Sequence, residues 1–231
     1  GGCGVIAEGL SSLKGVVFNF IGWTVAGLIV AAILYLRVTP YIFIPLVLGL
    51  GVPYFYTRGK FSWYQETSLA IGVVLAAVAG MFAVDASPEW WQGIIVSLPM
   101  AVLLTYLGLA LDEYPDAYAN LKKGTKSLAY RVWESKFDLA TYIIAWLIII
   151  YSFQVFLVAI GLLVPLTMIS LFIFPFIMAG LVFLKPHADA LRDNPTDSTA
   201  LKGFTATAKL VVVIAMVYPV LIVVGQAIGG G

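Results

Sequence analysis

The sequence predicts an all-α, polytopic membrane helix bundle, on three observations. Of the 231 residues, 61% are hydrophobic and only 11% are charged, against about 25% charged in an ordinary soluble domain. The mean hydropathy is +1.00. The apolar residues also fall into seven runs, each close to the roughly 20 residues that a helix needs to cross a bilayer.

The runs lie at 15–36, 38–56, 67–84, 91–111, 139–160, 162–184 and 207–227. The second begins directly after Arg37, at Val38-Thr39-Pro40, so the first two form a tight hairpin. The fifth and sixth meet at a short turn near Gly161. Neither a soluble domain nor a low-complexity linker interrupts them, and residues 1–231 read as a single transmembrane domain. Only the loops 112–137 and 185–206 have room for concentrated polar chemistry. In the second of these, Asn194-Pro195 signals a turn, and Ser198 or Thr199 is expected to cap a following helix.

The cations set the orientation. Twelve of the thirteen Lys and Arg residues fall on one side, and only Arg37 falls on the other. The loop between the third and fourth runs carries only Asp85 and Glu89. The positive-inside rule makes the basic side cytoplasmic, with the N-terminus inside and the C-terminus outside, in a multi-pass protein of the plasma (cytoplasmic) membrane. Trp90, Trp91, Tyr54 and Tyr56 stand at run ends, where aromatic rings favour the membrane interface.

Several function classes are disfavoured. A net charge of +1 gives no reason to expect nucleic acid as a partner. The single cysteine, Cys3, rules out an internal disulfide and a thiolate metal cluster. A retinal protein needs a lysine in the middle of the last span, and 210–227 has none; Lys209 is expected at the cytoplasmic end of that span. A transporter would show midplane charge beside its broken helices, which these runs lack. The start Gly1-Gly-Cys-Gly, with neither Met nor a signal-peptide pattern, reads as a cut start.

The densest charge lies between the fourth and fifth runs, at Leu111-Asp-Glu-Tyr-Pro-Asp-Ala-Tyr-Ala-Asn-Leu-Lys-Lys-Gly-Thr-Lys-Ser-Leu-Ala-Tyr-Arg131. Asp112, Asp116 and Asn120 are spaced i, i+4 and i+8, which on a helix aligns their oxygens along one face. Pro115 breaks a continuous helix. Either the span kinks there, or a new helix starts near Asp112 with Pro115 in its first turn. Both arrangements present two or three oxygens to one Mg²⁺, which completes its octahedron with waters and substrate phosphates. The cations Lys122, Lys123, Lys126 and Arg131 follow at once, and Arg58 and Lys60 lie on the same side. Oxygen ligands beside ammonium groups at the mouth of a membrane bundle suit a magnesium-bound diphosphate.

The stretch Asp112-Glu-Tyr-Pro-Asp116-x₃-Asn120-x₃-Gly124-x-Lys126-Ser-Leu128-x₂-Arg131 resembles the second aspartate-rich motif of the UbiA superfamily of intramembrane prenyltransferases, in its menaquinone-type, 1,4-dihydroxy-2-naphthoate-prenylating branch. Gly1 to Leu10 resembles the segment shortly after that family's first aspartate motif, and Tyr56-Thr57 through Tyr64-Gln-Glu66 resembles a loop in the middle of its bundle. The resemblance implies that the seven runs are the third to ninth of nine membrane helices. It implies transfer of a polyprenyl group from its diphosphate to an aromatic acceptor at the cytoplasmic face, in quinone or lipid biosynthesis. Asp112 and Asp116 would be the catalytic metal ligands, with Asn120 and Glu113 completing the set. Lys122, Lys123, Lys126 and Arg131 would contact the diphosphate, with Arg58 and Lys60 as further candidates. Phe18, Phe20, Trp23, Tyr106, Tyr118, Trp146 and Phe153 are available to wall an apolar cavity that shields an allylic cation from water. His187, the one histidine, reads as a solvated loop residue rather than a general base.

Two departures from the family's pattern bear on activity. The first aspartate motif does not occur in these residues, which implies upstream sequence or a reduced homologue. Asn120 stands where the family usually has Asp, so the metal loses one charged ligand. The alternative function is accordingly non-enzymatic: a prenyltransferase-like subunit that binds lipid or pigment, or scaffolds partners in a membrane complex.

Overall fold

A computed structural model describes residues 12–59, 64–84, 89–118, 124, 126–135 and 138–229. These residues are helical with no strands, and seven helical segments are long and apolar enough to cross a membrane. A helix satisfies its backbone polar groups within one segment, which is why lipid admits this architecture. The spans are Leu13–Arg37, Pro40–Gly59, Gln65–Ala83, Trp90–Glu113, Leu139–Ala159, Pro165–Asp193 and Ser198–Gly229. They follow the seven apolar runs, and the chain is an integral membrane protein.

Helix α1 (Leu13–Arg37) starts where the Ser12 hydroxyl accepts a hydrogen bond from the Gly15 amide, and it leads through a short 3₁₀ turn (Pro40–Ile42) into α2 (Phe43–Gly59). Helix α3 (Gln65–Val84) returns against α2. The fourth span is composite. It runs as α4 (Trp90–Val102), widens into a π turn (Leu103–Leu107), and closes as α5 (Gly108–Glu113). A short α6 (Leu128–Glu134) precedes α7 (Leu139–Ala159). A 3₁₀ segment (Pro165–Phe172) opens α8 (Ile173–Asp193), and α9 (Ser198–Ala215) continues into α10 (Val217–Gly229).

The turn after α7 closes as a Schellman motif. The Gly161 amide donates to the Val158 carbonyl, and the Leu162 amide donates to the Leu157 carbonyl at 3.0 Å. Gly161 takes φ +76°, a left-handed conformation that glycine adopts without steric cost. The second polar loop is shorter than 185–206. Helix α8 runs on to Asp193, and α9 is capped by Asp197, whose carboxylate accepts from the Thr199 and Ala200 amides at 2.8 and 3.0 Å. Ser198 and Thr199 are therefore the first residues of the helix and not its cap.

The core sits in the fourth to seventh spans. Leu103, Leu111, Ile143, Ile150, Ile177, Leu181, Phe204, Val211 and Tyr218 are fully or almost fully buried. One polar knot lies inside it. Gln154, with no exposed surface, donates to the Thr167 carbonyl (2.9 Å) and the Ser170 hydroxyl (2.8 Å), and it accepts from the Tyr218 hydroxyl (2.7 Å). Buried polar groups are tolerable in a bilayer only when satisfied in this way. The knot ties α7, the 3₁₀ segment and α10 together.

Helix α1 contributes almost nothing to the core. Phe18, Phe20 and Trp23 are 80%, 65% and 75% exposed, so these three aromatic residues face outward rather than into the core. Trp90, Trp91 and Tyr54 are also exposed at span ends, as belt residues should be.

Candidate functional site

Helix α5 ends at Glu113, and residues 114–116 form a turn held by Ala110, Glu113 and Tyr114 carbonyls. Pro115 sits in this turn, where its missing N–H costs nothing. The span thus stops at the proline. Asp112 belongs to the last turn of the span and is not the cap of a new helix, so no single uninterrupted helix carries Asp112 through Asn120.

Tyr114 pins the turn to the bundle. It is buried and stacks on Phe204 of α9, with ring centroids 5.5 Å apart. Burial pushes its phenol up to about 12, with Arg192 nearby acting in the opposite direction. The neighbouring carboxylates Asp112 and Asp116 are exposed. Among the described residues neither forms a salt bridge.

Glu113 is engaged differently. Its carboxylate accepts a 2.8 Å hydrogen bond from the Gln65 amide at the first turn of α3. Gln65 and Glu66 are 0% and 2% exposed. They are brought there by Gly59, at which an added Cβ would stand 2.6 Å from the Gln65 backbone, so α2 can approach α3 only without a side chain at 59. One Glu66 oxygen accepts from the Leu128 amide at 2.5 Å, and the other lies 3.3 Å from the Arg131 guanidinium. A buried carboxylate requires such compensation. The pairs clamp both described ends of the 112–131 segment onto α3.

Glu66 is the residue that sequence reasoning missed. The third apolar run was placed at 67–84, which left Glu66 in a loop, whereas the helix begins at Gln65. The available signal was an acidic side chain adjoining an uninterrupted apolar span, which in a membrane marks a paired and consequential residue.

Of the candidate cations, Arg131 keeps 43% of its side chain exposed despite the Glu66 contact, so part of its guanidinium remains free for another anion. Lys126 is exposed immediately before Ser127, which caps α6. Arg58, in the last turn of α2, lies over the Tyr54 ring at 5.6 Å. Lys60, Asn120, Lys122 and Lys123 lie outside the described residues.

The cations of the α8 end are taken up by carboxylates. Lys185 lies 2.7 Å from Asp138 and 3.5 Å from Asp189, and Arg192 lies 3.4 Å from Asp189. Asp138 also caps α7 through Thr141. Burial pushes the Asp138 carboxyl up, but the Lys185 and Thr141 hydrogen bonds outweigh it and hold the group below its usual range. His187 is a helix residue of α8, half-buried, with its ring where a Gly203 side chain would stand, and so it is packed between α8 and α9 rather than solvated in a loop. Lys209 is an exposed residue of the last segment, Ser198–Gly229.

Among the interior aromatic side chains, Tyr106 of the π turn stacks on Trp146 of α7 at 4.3 Å, and Tyr142 meets the same indole edge-on at 6.3 Å. Tyr118 packs on Trp133, and Phe153 on Phe156. A cleft of about 570 Å³ between α2, α3 and α4 is lined by apolar and aromatic side chains such as Tyr41, Leu48, Val78 and Trp90, with no charged side chain for phosphate or metal among its lining residues.

The donor chemistry fits a hard cation held in part by substrate. Asp112 and Asp116 supply two exposed carboxylates four residues apart, on the helix end and on the turn that follows it, and Mg²⁺ commonly takes one or two carboxylates with waters and phosphates. Among the described residues, no three His, Cys, Asp or Glu side chains converge into a complete metal cage. Searches against protein-family models, curated proteins and solved structures find no match to this chain.

Proposed function

We propose that this chain is an intramembrane prenyltransferase of the UbiA superfamily, moving a polyprenyl group from its diphosphate to an aromatic acceptor at the cytoplasmic face. The observation that carries the reading is the arrangement at the end of the fourth span. Among the described residues Asp112 and Asp116 form no salt bridge, while Arg131, in the same segment, is held by the buried Glu66. Such an arrangement suits an anion that arrives with a divalent cation.

Chemically, the allylic C–O bond must break with both electrons leaving on the diphosphate. The acceptor then supplies the electrons of the new bond and loses a proton. Asp112 and Asp116 would hold Mg²⁺, which neutralises charge growing on the leaving group when it is bound. Arg131 and Lys126 would contact the diphosphate oxygens. Glu113, tied to Gln65, would orient the helix end that carries Asp112 and the turn that carries Asp116. The apolar interior behind Asp112 keeps water from the allylic cation. In this reading Asn120, Lys122, Lys123, Lys60 and Arg58 are further contacts at the same face, the N-terminus is cytoplasmic, and the C-terminus lies outside.

The test is prenyl transfer by the full-length protein in lipid nanodiscs, with Mg²⁺, geranylgeranyl diphosphate and radiolabelled 1,4-dihydroxy-2-naphthoate. Labelled, prenylated product that is lost with Asp116→Ala supports the reading. A protein that binds prenyl diphosphate and transfers nothing to any aromatic acceptor would instead be a lipid-binding or scaffolding subunit.

A further inference from the structure

The buried Glu66 carboxylate is held from two directions, and the two holds are unequal. On Oε1 the donor is the Leu128 amide, a backbone group that stays with its helix, α6. On Oε2 the donor is the Arg131 guanidinium at 3.3 Å, from a side chain that is 43% exposed. A fully made charge-assisted bond is shorter, roughly 2.7–2.9 Å. An incoming anion therefore competes for Arg131 with a carboxylate that cannot follow it. If Arg131 left and nothing replaced it, Glu66 would keep a buried charge with one oxygen bare, which a protein interior tolerates poorly.

A replacement donor stands near this pair. The Tyr142 hydroxyl, in the first turn of α7, is buried and has no hydrogen-bond partner among the described residues. The Trp146 indole, one turn further along α7, meets the Tyr142 ring edge-on at 6.3 Å. An indole N–H only donates, so it cannot take up the phenolic proton. Trp146 is itself fixed by its stack on Tyr106 of the π turn, so the Tyr142 ring rests against a packed wall. The charged groups that bear on its hydroxyl are Glu66 and Arg131. A buried hydroxyl left unmet is costly. This one has a use if the neighbouring carboxylate loses its cation.

We propose that Tyr142 takes over Glu66 Oε2 when an anion draws Arg131 away. In the resting state Glu66 holds Arg131, and the Tyr142 hydroxyl is unpaired. In the anion-bound state Arg131 meets the anion, the Tyr142 hydroxyl donates to Glu66, and the Leu128 amide stays in place. The release of Arg131 is offset by a bond formed inside the protein, and the anchor of the aspartate segment on α3 survives. The exchange moves no proton between groups and breaks no covalent bond. Tyr142 is thus a positioning residue that acts through Glu66 and touches no ligand. The inference rests on the reading that Arg131 meets a phosphate-bearing ligand, and adds to it the partner exchange behind that contact.

Calorimetric titration of inorganic pyrophosphate with Mg²⁺ into the full chain in nanodiscs tests the exchange. Tyr142→Phe removes only an unpaired hydroxyl, so the melting temperature without ligand should be unchanged or slightly raised. Its pyrophosphate affinity should fall about tenfold, the loss of a hydrogen bond to a charged group. In a Glu66→Gln background the same change should have less than about a twofold effect, because a neutral amide has no charge to keep compensated. Infrared difference spectra should show pyrophosphate shifting the C–O stretch of one phenol in the wild type, and this shift should be missing in Tyr142→Phe. Wild-type affinity in Tyr142→Phe, or an equal loss in both backgrounds, overturns the exchange and leaves the anion site standing. A lower ligand-free melting temperature in Tyr142→Phe also overturns it, because the hydroxyl would then already be bonded at rest. Failure of the wild type to bind pyrophosphate, or binding undiminished in Arg131→Gln, overturns the anion-site reading and the exchange with it.

Discussion

Glu66 and Arg131, 65 positions apart in sequence, meet at 3.3 Å, with the Glu66 carboxylate 2% exposed and the Arg131 side chain 43% exposed. The contact joins the first turn of α3 to the helix that follows the aspartate segment. Together with the Gln65–Glu113 bond it gives that segment two anchors on one buried helix end.

Removing Glu66 should therefore loosen the site more than the bundle. Glu66→Ala deprives the Leu128 amide and the Arg131 guanidinium of their acceptor, and is expected to cost about 1–3 kcal/mol. Glu66→Gln keeps an acceptor for Leu128 and should cost less. Thermal unfolding in detergent reads the first effect. Limited trypsin cleavage after Lys126 and Arg131 reads the second, and should rise in Glu66→Ala before global unfolding.

The knot around Gln154 predicts a stability defect remote from the site. Gln154→Leu leaves the Tyr218 hydroxyl and the Thr167 carbonyl without a partner in a water-free core, at about 1–3 kcal/mol. Pairing it with Tyr218→Phe should recover part of the loss, because a removed donor no longer needs an acceptor. Melting temperatures of the two single variants and the double variant check this. Additive losses would contradict it.

Titration should destabilise the fold at both extremes. Asp138 is held below the usual carboxyl range, so its contribution is complete above its unfolded value of about 3.9. That contribution is lost as pH falls through the lower folded value. Tyr114 is raised to about 12, so the buried neutral phenol stabilises the fold below about pH 10, and this is lost as pH rises from there toward 12. Asp138→Asn should flatten the acid arm and Tyr114→Phe the alkaline arm of a stability–pH curve.

What was legible in the sequence was what lipid dictates. All seven spans stood out as apolar runs, and Gly161 marked its turn because only a residue free of Cβ takes φ +76° easily. Less legible was where polar residues sit relative to span ends. Hydropathy ends a span at the first charge, so Glu66 was placed outside a helix that in fact contains it. Long-range pairing explains the error: the cost of a charge at the start of a span is offset by partners far away in sequence, here Leu128 and Arg131. The composite fourth span, with its π turn at Leu103–Leu107, has no signature in apolar periodicity. The role of Pro115, which periodicity left open, was decided by Tyr114, whose burial against Phe204 fixes the turn.

The most direct test of the central claim is Mg²⁺-dependent prenyl transfer in membranes containing wild-type protein, Asp112→Ala or Asp116→Ala. The account predicts labelled prenylated acceptor with wild type and a loss of at least a hundredfold in either variant, with the protein still folded and inserted. Undiminished transfer in both variants would contradict it.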